Sequence, residues 1–325
     1  MDLSIIIVNW NSVDYLQGCL ASIYRNTSGL QFEIIVVDNA SPNGDVDTLR
    51  TTFPAVKIIK CHQNLGYARA NNLGFKTSAG AAVLMLNPDT ELVGPAINRL
   101  VEALRSLPDA GIIGGKHVNP NLTVQTTSIH RFPTVLKEVA DIEVLRRLWP
   151  GCPLWSIGPL FSRSLQPVSV DIIPGACMLL RREVFEQVGM FSEEYFMYAE
   201  DIDLNYNVAK AGYKRYFIPD AVIIHYGGGS SSRQTVNQWA TRMQLHAMSQ
   251  YYAKTRSRGY AGFYKAAMAV CALGRLSVIA VARWFGSALL DRENSRHAKE
   301  KWSVILRWAV GLDGSATGGG GTVGR

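Results

Sequence analysis

Short β-branched runs alternate with helical patterns through the first hundred residues of this chain. The runs are S-I-I-I-V at 4–8, F-E-I-I-V-V-D at 32–38, V-K-I-I-K at 56–60 and A-V-L-M-L at 82–86. Between the first two runs, Leu16, Leu20 and Ile23 are spaced for one face of a helix. Unbroken apolar runs of this length are typical of strands that are buried on both faces and joined by helical crossovers. The alternation therefore predicts an α/β fold with a mostly parallel central sheet.

Size and cysteine content narrow the class of protein. The 325 residues, 47% of them hydrophobic, are enough for a substantial core. Five cysteines, an odd number, form no C-x-x-C pair, which favours reduced thiols in a cytosolic protein over a disulfide framework or a zinc site. The opening M-D-L-S-I-I-I is too short and too acidic for a signal peptide, so we expect it to begin the first strand.

Positive charge is concentrated towards the C-terminus. The whole chain has 33 Lys and Arg against 26 Asp and Glu, a net charge of +7. Residues 254–307 contain eleven basic and three acidic residues, a net charge of +8, so the remainder carries about −1. The basic segment predicts contact with an anionic surface, and a solvated helical face is the alternative.

Polar residues follow each predicted strand. They are Asn9 and Asn11, Asp38 and Asn39, Asn64 and Gly66, and Asn87 and Asp89. Ligands of open α/β sheets bind beyond the carboxyl ends of the strands, where these residues are expected. The chain has no G-x-G-x-x-G after the first strand, no Walker lysine motif and no G-x-S-x-G, which argues against a dinucleotide dehydrogenase, an ATPase or a hydrolase. A rim of Asn, Asp and Gly instead suits a nucleobase and ribose, with an Asp available for a divalent ion.

Motifs in a fixed order give the chain a family resemblance. They are I-I-I-V-N-W-N, V-V-D-N-A-S, N-L-G-Y-A-R-A-N-N-L-G and L-M-L-N-P-D-T, followed by G-A-C-M-L-L-R-R-E-V-F, F-M-Y-A-E-D-I-D-L and P-D-A-V-I-I-H. The set covers about residues 3–230 and resembles the family 2 inverting glycosyltransferases of the GT-A fold, within them the bacterial rhamnosyltransferase group. The resemblance implies a catalytic domain at 1–232, with a Rossmann-like donor half at 1–115 and an acceptor half at 116–232.

The resemblance assigns a nucleotide-sugar donor to the polar rim. Asp38 would accept the N3–H of a uracil or thymine base, and a turn or helix cap is its alternative role. The implied donor-binding set is Val8, Asn9, Asn11, Asp38, Asn39, Asn64, Gly66, Asn72, Asn87 and Asp89. Since thymine and uracil present the same N3–H, dTDP and UDP donors both remain open.

A cation site is implied at the end of the fourth strand. N-P-D resembles the family's D-x-D metal motif, with Asn87 in place of the first acid, although Asn-Pro-Asp is also good turn chemistry. Asp89 would hold Mg²⁺ or Mn²⁺ against the donor pyrophosphate, and His225 would help to bind the metal or the pyrophosphate. A structural role is the alternative for this histidine. The missing acid leaves open a catalytically degenerate nucleotide-sugar-binding protein.

The acids of E-D-I-D, residues 200–203, are the implied catalytic residues. Acidic residues are ordinary at a helix start, which is their alternative reading. By resemblance, Asp201 would be the base that deprotonates the acceptor hydroxyl, giving inversion at the anomeric carbon, and Glu200 would orient the acceptor or Asp201. Asp203 is expected to serve structure. The Trp-, Pro- and Gly-rich stretch within 116–170 is expected to be an acceptor-side insertion.

The C-terminal third predicts helices at 233–310 and a flexible tail at 311–325. The apolar stretch 266–285 is interrupted by Arg275 and Arg283, and its uninterrupted runs are too short to span a bilayer. On a helix, Lys265 and Arg283 superpose, which favours a helix lying in a membrane interface, with Trp284, Phe285, Leu289 and Leu290 entering it. Packing against a second subunit is the rival interpretation.

The leading hypothesis combines these predictions. It is a metal-dependent inverting glycosyltransferase that moves L-rhamnose from dTDP-rhamnose to a glycan or polyprenyl-linked saccharide in cell-surface polysaccharide synthesis. We expect it at the cytoplasmic face of the membrane, as a peripheral protein and possible homo-oligomer with no nucleic-acid partner. A UDP-sugar-dependent transferase is the alternative. A nucleotidyltransferase is disfavoured because N-W-N-S after the first strand is not a Gly-rich basic loop.

Overall fold

The structure, a computed structural model, describes residues 1–140, 143–227, 238–284 and 292–312. Its strands are β1 (Leu3–Asn9), β2 (Phe32–Asp38), β3 (Lys57–Lys60), β4 (Ala82–Leu86), β5 (Thr90–Val93), β6 (Ala110–Val118), β7 (Val168–Val170), β8 (Cys177–Arg181) and β9 (Lys214–His225). Its α-helices are α1 (Val13–Asn26), α2 (Leu49–Thr52), α3 (Gly66–Lys76), α4 (Ala96–Ser106), α5 (Val135–Ala140), α6 (Glu143–Leu148), α7 (Arg182–Gln187), α8 (Glu200–Lys210), α9 (Gln238–Thr255), α10 (Arg258–Trp284) and α11 (Arg292–Ala309).

The four predicted strands form a parallel half-sheet. The sheet order is β3-β2-β1-β4-β8-β6-β9-β5, and β7 pairs with β9. Strands β1 to β4 pair in parallel, whereas β8 runs antiparallel to both β4 and β6. The parallel α/β half predicted from the apolar runs is confirmed, and the second half of the sheet is mixed.

Both faces of β1, β2 and β4 are buried, as their unbroken apolar runs predict, whereas the outer strand β3 is partly exposed. On one face, Ile5 of β1 shares a core with Leu20 of α1 and Leu100 of α4. On the other face, Ile6 shares a core with Phe75 of α3. Successive side chains of a strand point to opposite faces, so a strand covered on both sides takes a polar residue in its interior only where that residue has a partner. Ser4 of β1 is such a case, and its Oγ donates to Glu33 Oε1 of β2 at 2.7 Å.

The carboxyl ends of the parallel strands lie along one edge of the sheet, which we call the carboxyl edge. It comprises the carboxyl ends of β1, β2, β4 and β9 and the amino end of β8. Asn9 pairs with Asp38, and Leu86 pairs with Cys177. His225 at the end of β9 pairs with Thr90, directly after the N-P-D turn. The topology thus brings residues from both halves of the chain to the same edge.

Two compact units divide the chain. One comprises residues 1–132, 141–196 and 200–230, and contains the sheet. The other comprises residues 133–140, 197–199 and 231–325, and contains α5 and the three long helices α9, α10 and α11. Residues 133–140, expected in the acceptor half, therefore group with the C-terminal helices. Residues 313–325, most of the predicted tail, lie outside the described residues.

Helix α10 is continuous across the predicted interruptions. By length and composition alone, Arg258–Ala282 is long and apolar enough to cross a membrane. The prediction that its uninterrupted apolar runs are too short to span a bilayer therefore does not exclude a crossing. Two cations of α10 turn inwards within this unit: Lys265 of the predicted basic stripe lies over the Trp308 ring, and Arg275 lies over the Trp302 ring. The side chains of Arg283 and Trp284, and all of Phe285, Leu289 and Leu290, lie outside the described residues.

Candidate active site

Asp38 lies at the carboxyl edge in a cleft that is also lined by Ala40, Ser41, Lys60 and Cys61. Its Oδ1 accepts hydrogen bonds from Asn9 Nδ2 (2.9 Å) and from Ser41 Oγ (2.6 Å). Two donors on one oxygen hold the carboxylate in place and leave Oδ2, which faces the Ser41 N–H at 3.4 Å, with capacity for a further donor. A base N–H is such a donor.

A second amide network shapes the loop before α3. Asn39 Nδ2 donates to Asn64 Oδ1 (2.9 Å), and Asn39 Oδ1 accepts from the Leu65 N–H (2.8 Å). Asn64 Oδ1 also accepts from the Gly66 N–H (2.9 Å). Gly66 has a φ of +78°, and a Cβ built there would overlap the carbonyl oxygen of Phe196. Asn39, Asn64 and Gly66 are thus brought together, and only glycine fits the last position.

Two predicted donor residues, Asn72 and Val8, are engaged in packing and structural hydrogen bonds, and a third, Asn11, lies at the carboxyl edge. Asn72 is buried, and its amide bonds both the N–H and the carbonyl of Phe191, so it fastens α3 to that segment away from the edge. Val8 packs beside Val37 in a small apolar cluster. Asn11 lies at the edge, where its Oδ1 accepts from the Asn43 N–H at 3.0 Å.

The N-P-D segment is a turn as well as a presented carboxylate. The Asn87 carbonyl accepts from Thr90 Oγ1 (2.7 Å), and the Asn87 N–H donates to the Ala176 carbonyl (2.9 Å). Cys19, buried beneath the turn, lies 3.6 Å from Thr90 Oγ1 through its Sγ. The turn expected from Asn-Pro-Asp is therefore present and directs Asp89, whose cation-binding role stays a prediction.

Asp89 faces His225 across the end of β9. Asp89 Oδ1 lies 3.4 Å from His225 Nε2, and His225 Nδ1 lies 3.2 Å from Gln125 Oε1. His117 lies beside them, with its ring centre 5.6 Å from that of His225. Burial lowers the pKa of His117 to about 3, so its ring is neutral, and its Nε2 has no hydrogen-bond partner among the described residues.

The Asp89–His225 pair fits a divalent cation. Two donor atoms bound to one ion with bonds of about 2.1 Å, at angles of roughly 90–110°, lie about 3.0–3.4 Å apart. The observed 3.4 Å falls in this range. Among the described residues no three His, Cys, Asp or Glu side chains form a complete metal site, so the remaining ligands would be water and donor phosphate oxygens.

Glu200 and Asp201 begin α8 beside the amino end of β8. Asp201 Oδ2 accepts from the Gly175 N–H (3.0 Å), and Oδ1 accepts from the Ile202 N–H (2.8 Å). Burial raises the pKa of Asp201. Burial and the charge of Asp201 raise the pKa of Glu200 to about 8. With a pKa of about 8, Glu200 is mostly protonated at neutral pH.

Several residues that lie at the carboxyl edge were not predicted from the sequence. Ser41 orients Asp38, Gly175 orients Asp201, and Gln125 and His117 flank His225. Gly175 also accepts from the Tyr67 hydroxyl (2.8 Å) through its carbonyl. Ser41 follows D-N-A closely enough to be predicted as an Asx-turn partner, whereas the others come from distant segments with no motif of their own.

Comparison with known proteins places the chain among sugar transferases. The family model described as glycosyl transferase family 2 matches residues 4–189. An N-acetylglucosaminyl-diphospho-decaprenol L-rhamnosyltransferase of Mycobacterium tuberculosis is 30% identical over 262 residues, covering 77% of this chain and 82% of the relative. The hexosyltransferase Agl10 of low-salt glycan biosynthesis in Haloferax volcanii is 30% identical over 215 residues, covering 64% of this chain and 62% of the relative.

Solved structures share the fold at low sequence identity. A mannosyltransferase from Pyrobaculum calidifontis, in complex with GDP-Man and Mn²⁺, superposes with a TM-score of 0.59 at 17% identity, covering 95% of this chain and 86% of its own. GalNAc-T7 with UDP, GalNAc and Mn²⁺ superposes with a TM-score of 0.56 at 15% identity, covering 80% of this chain and 52% of its own. The chain therefore belongs to glycosyl transferase family 2 and has the GT-A fold, as its motifs predicted.

Proposed function

We propose that this protein is a cation-dependent, inverting rhamnosyltransferase that transfers L-rhamnose from dTDP-rhamnose to a polyprenyl-linked saccharide. The observation that carries the catalytic proposal is the convergence of Asp201 and the Asp89–His225 pair on the carboxyl edge. The sugar and the lipid-linked acceptor are supported by the mycobacterial relative, whose name gives both an L-rhamnosyl group and a diphospho-decaprenol acceptor.

Each end of the donor would have its own residues. Asp38 Oδ2 would accept the N3–H of the base, with Asn9 and Ser41 holding the carboxylate. Asp89 and His225 would hold a divalent cation, which stabilises the negative charge that develops on the departing diphosphate. Mn²⁺ suits this mixed set of one carboxylate and one imidazole, and both solved neighbours are complexes with Mn²⁺.

Asp201 would act on the acceptor. It would take the proton of the acceptor hydroxyl while that oxygen forms its bond to the anomeric carbon and the diphosphate departs from the opposite side. One displacement with one base gives inversion. Glu200, protonated at neutral pH, would donate a hydrogen bond that orients the acceptor.

A donor panel tests this proposal. Calorimetry with dTDP-rhamnose, dTDP-glucose and UDP-glucose, each with Mn²⁺, is expected to show tightest binding of dTDP-rhamnose. Transfer to a synthetic polyprenyl-diphospho-N-acetylglucosamine is expected with Mn²⁺ and not in excess chelator. Tightest binding of the UDP-sugar would support the alternative donor, and full transfer in chelator would contradict the cation.

A donor-binding protein without transferase activity is the second candidate, favoured by Asn87 in place of the first acid. Donor hydrolysis in the absence of acceptor separates the two. The transferase is expected to hydrolyse its donor slowly with Mn²⁺ and to lose this activity in Asp89→Asn. Binding without hydrolysis or transfer under any of these conditions would establish the second candidate.

Membrane association is a further part of the proposal, for which α10 gives the support. Its exposed large side chains fall within about 140° of the helix circumference. They are Phe263, Val270, Leu273, Val278 and Val281, each more than half exposed. This apolar face, and not the inward-turned cations Lys265 and Arg275, would enter the membrane interface, where a lipid-linked acceptor resides.

A further inference from the structure

Gln125 contacts His225 through both ends of its amide. Its Nε2 donates to the backbone carbonyl of His225 (2.6 Å) and to Asn119 Oδ1 (3.0 Å). A carbonyl oxygen can only accept, so the group facing it must be the NH₂. The orientation of the Gln125 amide is therefore determined, and its Oε1 is the atom that faces the His225 ring at 3.2 Å.

Asn119 is oriented by the same logic one step further away. Its Nδ2 donates to the carbonyl (3.3 Å) and to Oγ1 (2.9 Å) of Thr123 across a short turn. The turn is closed by the Asn119 N–H, which donates to the same Thr123 carbonyl at 2.8 Å. Asn119 Oδ1 is thus left to accept from Gln125. A series of hydrogen bonds, each with a defined donor and acceptor, therefore connects Thr123 to His225.

This series of hydrogen bonds determines which nitrogen of His225 carries a proton. Gln125 Oε1 is an acceptor, so Nδ1 must donate to it. In the neutral ring Nε2 then has a lone pair, and this lone pair faces Asp89 Oδ1 at 3.4 Å. Two acceptors that face each other repel, unless a cation lies between them.

We propose that Asn119 and Gln125 form an amide relay that holds His225 in its Nδ1–H tautomer, and so reserves Nε2 and Asp89 Oδ1 for a divalent cation. This inference rests on the cation role proposed above. Gln125 would act on the cation through His225, whose ring and backbone carbonyl it contacts, and it is therefore a positioning residue. Without it, Nε2–H could donate to Asp89 Oδ1, and the proton would take the lone pair of Nε2 that a cation needs.

Nitrogen NMR of histidine tests the relay without any donor or activity measurement. The protein labelled with ¹⁵N-histidine would be observed at pH 8 in the metal-free state, with the His225 signals assigned from their loss in His225→Asn. The wild type is expected to show the Nδ1–H tautomer. Gln125→Met, which keeps the length and removes both hydrogen-bonding groups, is expected to shift His225 to Nε2–H. The exposed Gln17 gives the matched control, Gln17→Met.

Mn²⁺ binding in the presence of dTDP supplies the second readout. Gln125→Met is expected to weaken Mn²⁺ binding on the order of 10- to 100-fold, while Gln17→Met leaves it unchanged. A wild type in the Nε2–H or doubly protonated form, or an unchanged tautomer in Gln125→Met, would overturn the relay. If the tautomers behave as expected and the wild type fails to bind Mn²⁺ with dTDP, the cation role is wrong and the relay stands.

Discussion

Adjacent acids in different surroundings define the chemistry at the scale of single residues. Asp201 receives two backbone N–H groups, which favour its charged form against the effect of burial. Glu200 has a buried Oε2 without a hydrogen-bond partner among the described residues, and stays protonated to about pH 8. A carboxylate with a raised pKa is a better base, and a protonated neighbour is a donor, so the pair can divide the two roles.

Asp201→Asn should reduce transfer on the order of 10²-fold or more, because it removes the proton acceptor and keeps the size of the side chain. Donor affinity, measured by calorimetry, should change little. The exposed Glu183 on α7 provides the control Glu183→Gln, which should transfer sugar at the wild-type rate. Transfer by Asp201→Asn at close to the wild-type rate would move the base to another acid.

Glu200 should make stability depend on pH. Its pKa is about 8 in the folded protein against an ordinary value of 4.5, so between these values the folded state binds more protons than the unfolded state. The free energy of unfolding should therefore fall as pH rises from about 4.5 to about 8. Glu200→Gln should remove this loss, and raise the free energy of unfolding at pH 8 by a few kcal/mol, relative to its effect at pH 4.5.

Urea unfolding of both proteins at pH 4.5 and 8 measures this difference. The exposed Glu102 on α4 supplies the control Glu102→Gln, which should retain the wild-type pH profile. An identical pH profile for the wild type and Glu200→Gln would show that Glu200 is charged in the folded protein at neutral pH.

At the scale of elements, Gly66 decides how α3 begins. A methyl group there would combine a positive φ with overlap of the Phe196 carbonyl, which also accepts from the Tyr67 N–H (2.9 Å). Gly29 offers a matched comparison, since it has a φ of +67° and nothing within 4 Å of a built Cβ. The pair separates backbone strain from steric overlap.

Gly66→Ala should destabilise the fold by more than Gly29→Ala, for which the left-handed backbone alone costs about 1–2 kcal/mol. The excess, on the order of 1–3 kcal/mol, reflects the displaced Phe196 segment. Thermal and urea unfolding of the two variants measures both values. Equal destabilisation of the two variants would mean that the Phe196 segment shifts without a measurable loss of folding free energy.

At the scale of the whole molecule, charge and exposed apolar surface are separate properties of the C-terminal unit. The segment 254–307 carries a net charge of +8, yet Lys265 and Arg275 lie over tryptophan rings of α11. Reversing those two cations would disturb packing within the unit as well as attraction to a membrane. Substitutions on the apolar face of α10 are the cleaner test.

The double variant Val270→Glu, Val278→Glu should lose association with anionic vesicles, because both side chains are more than two-thirds exposed and acidic groups oppose insertion. Flotation with phosphatidylglycerol vesicles measures binding, which should also weaken with salt. Leu165→Glu, at a similarly exposed apolar residue of the sheet-containing unit, is the control. If the wild type ignores these vesicles at low salt and the double variant dissociates an oligomer, the face is a subunit interface.

The sequence alone determined the parallel half of the sheet and the polar residues at its edge. Unbroken β-branched runs have few alternatives to a strand covered on both faces, and such a strand can present Asn9, Asp38 or Asp89 only where it ends. The order of the motifs then indicated the family, because each motif is a continuous local segment of the sequence. These features depend on residues that are neighbours in the sequence, so they can be predicted without the tertiary structure.

Tertiary structure decided which polar residues meet and in what chemical state. Gln125 and His225 are one hundred residues apart in the sequence, and Gly175 and Asp201 are 26 residues apart, yet each pair is in contact in the structure. Asn72 carried a family motif yet fastens α3 to Phe191. Burial set the pKa of Glu200 at about 8 and that of His117 at about 3. Hydrogen-bond geometry and desolvation arise from the packing of distant segments, and no local pattern encodes them.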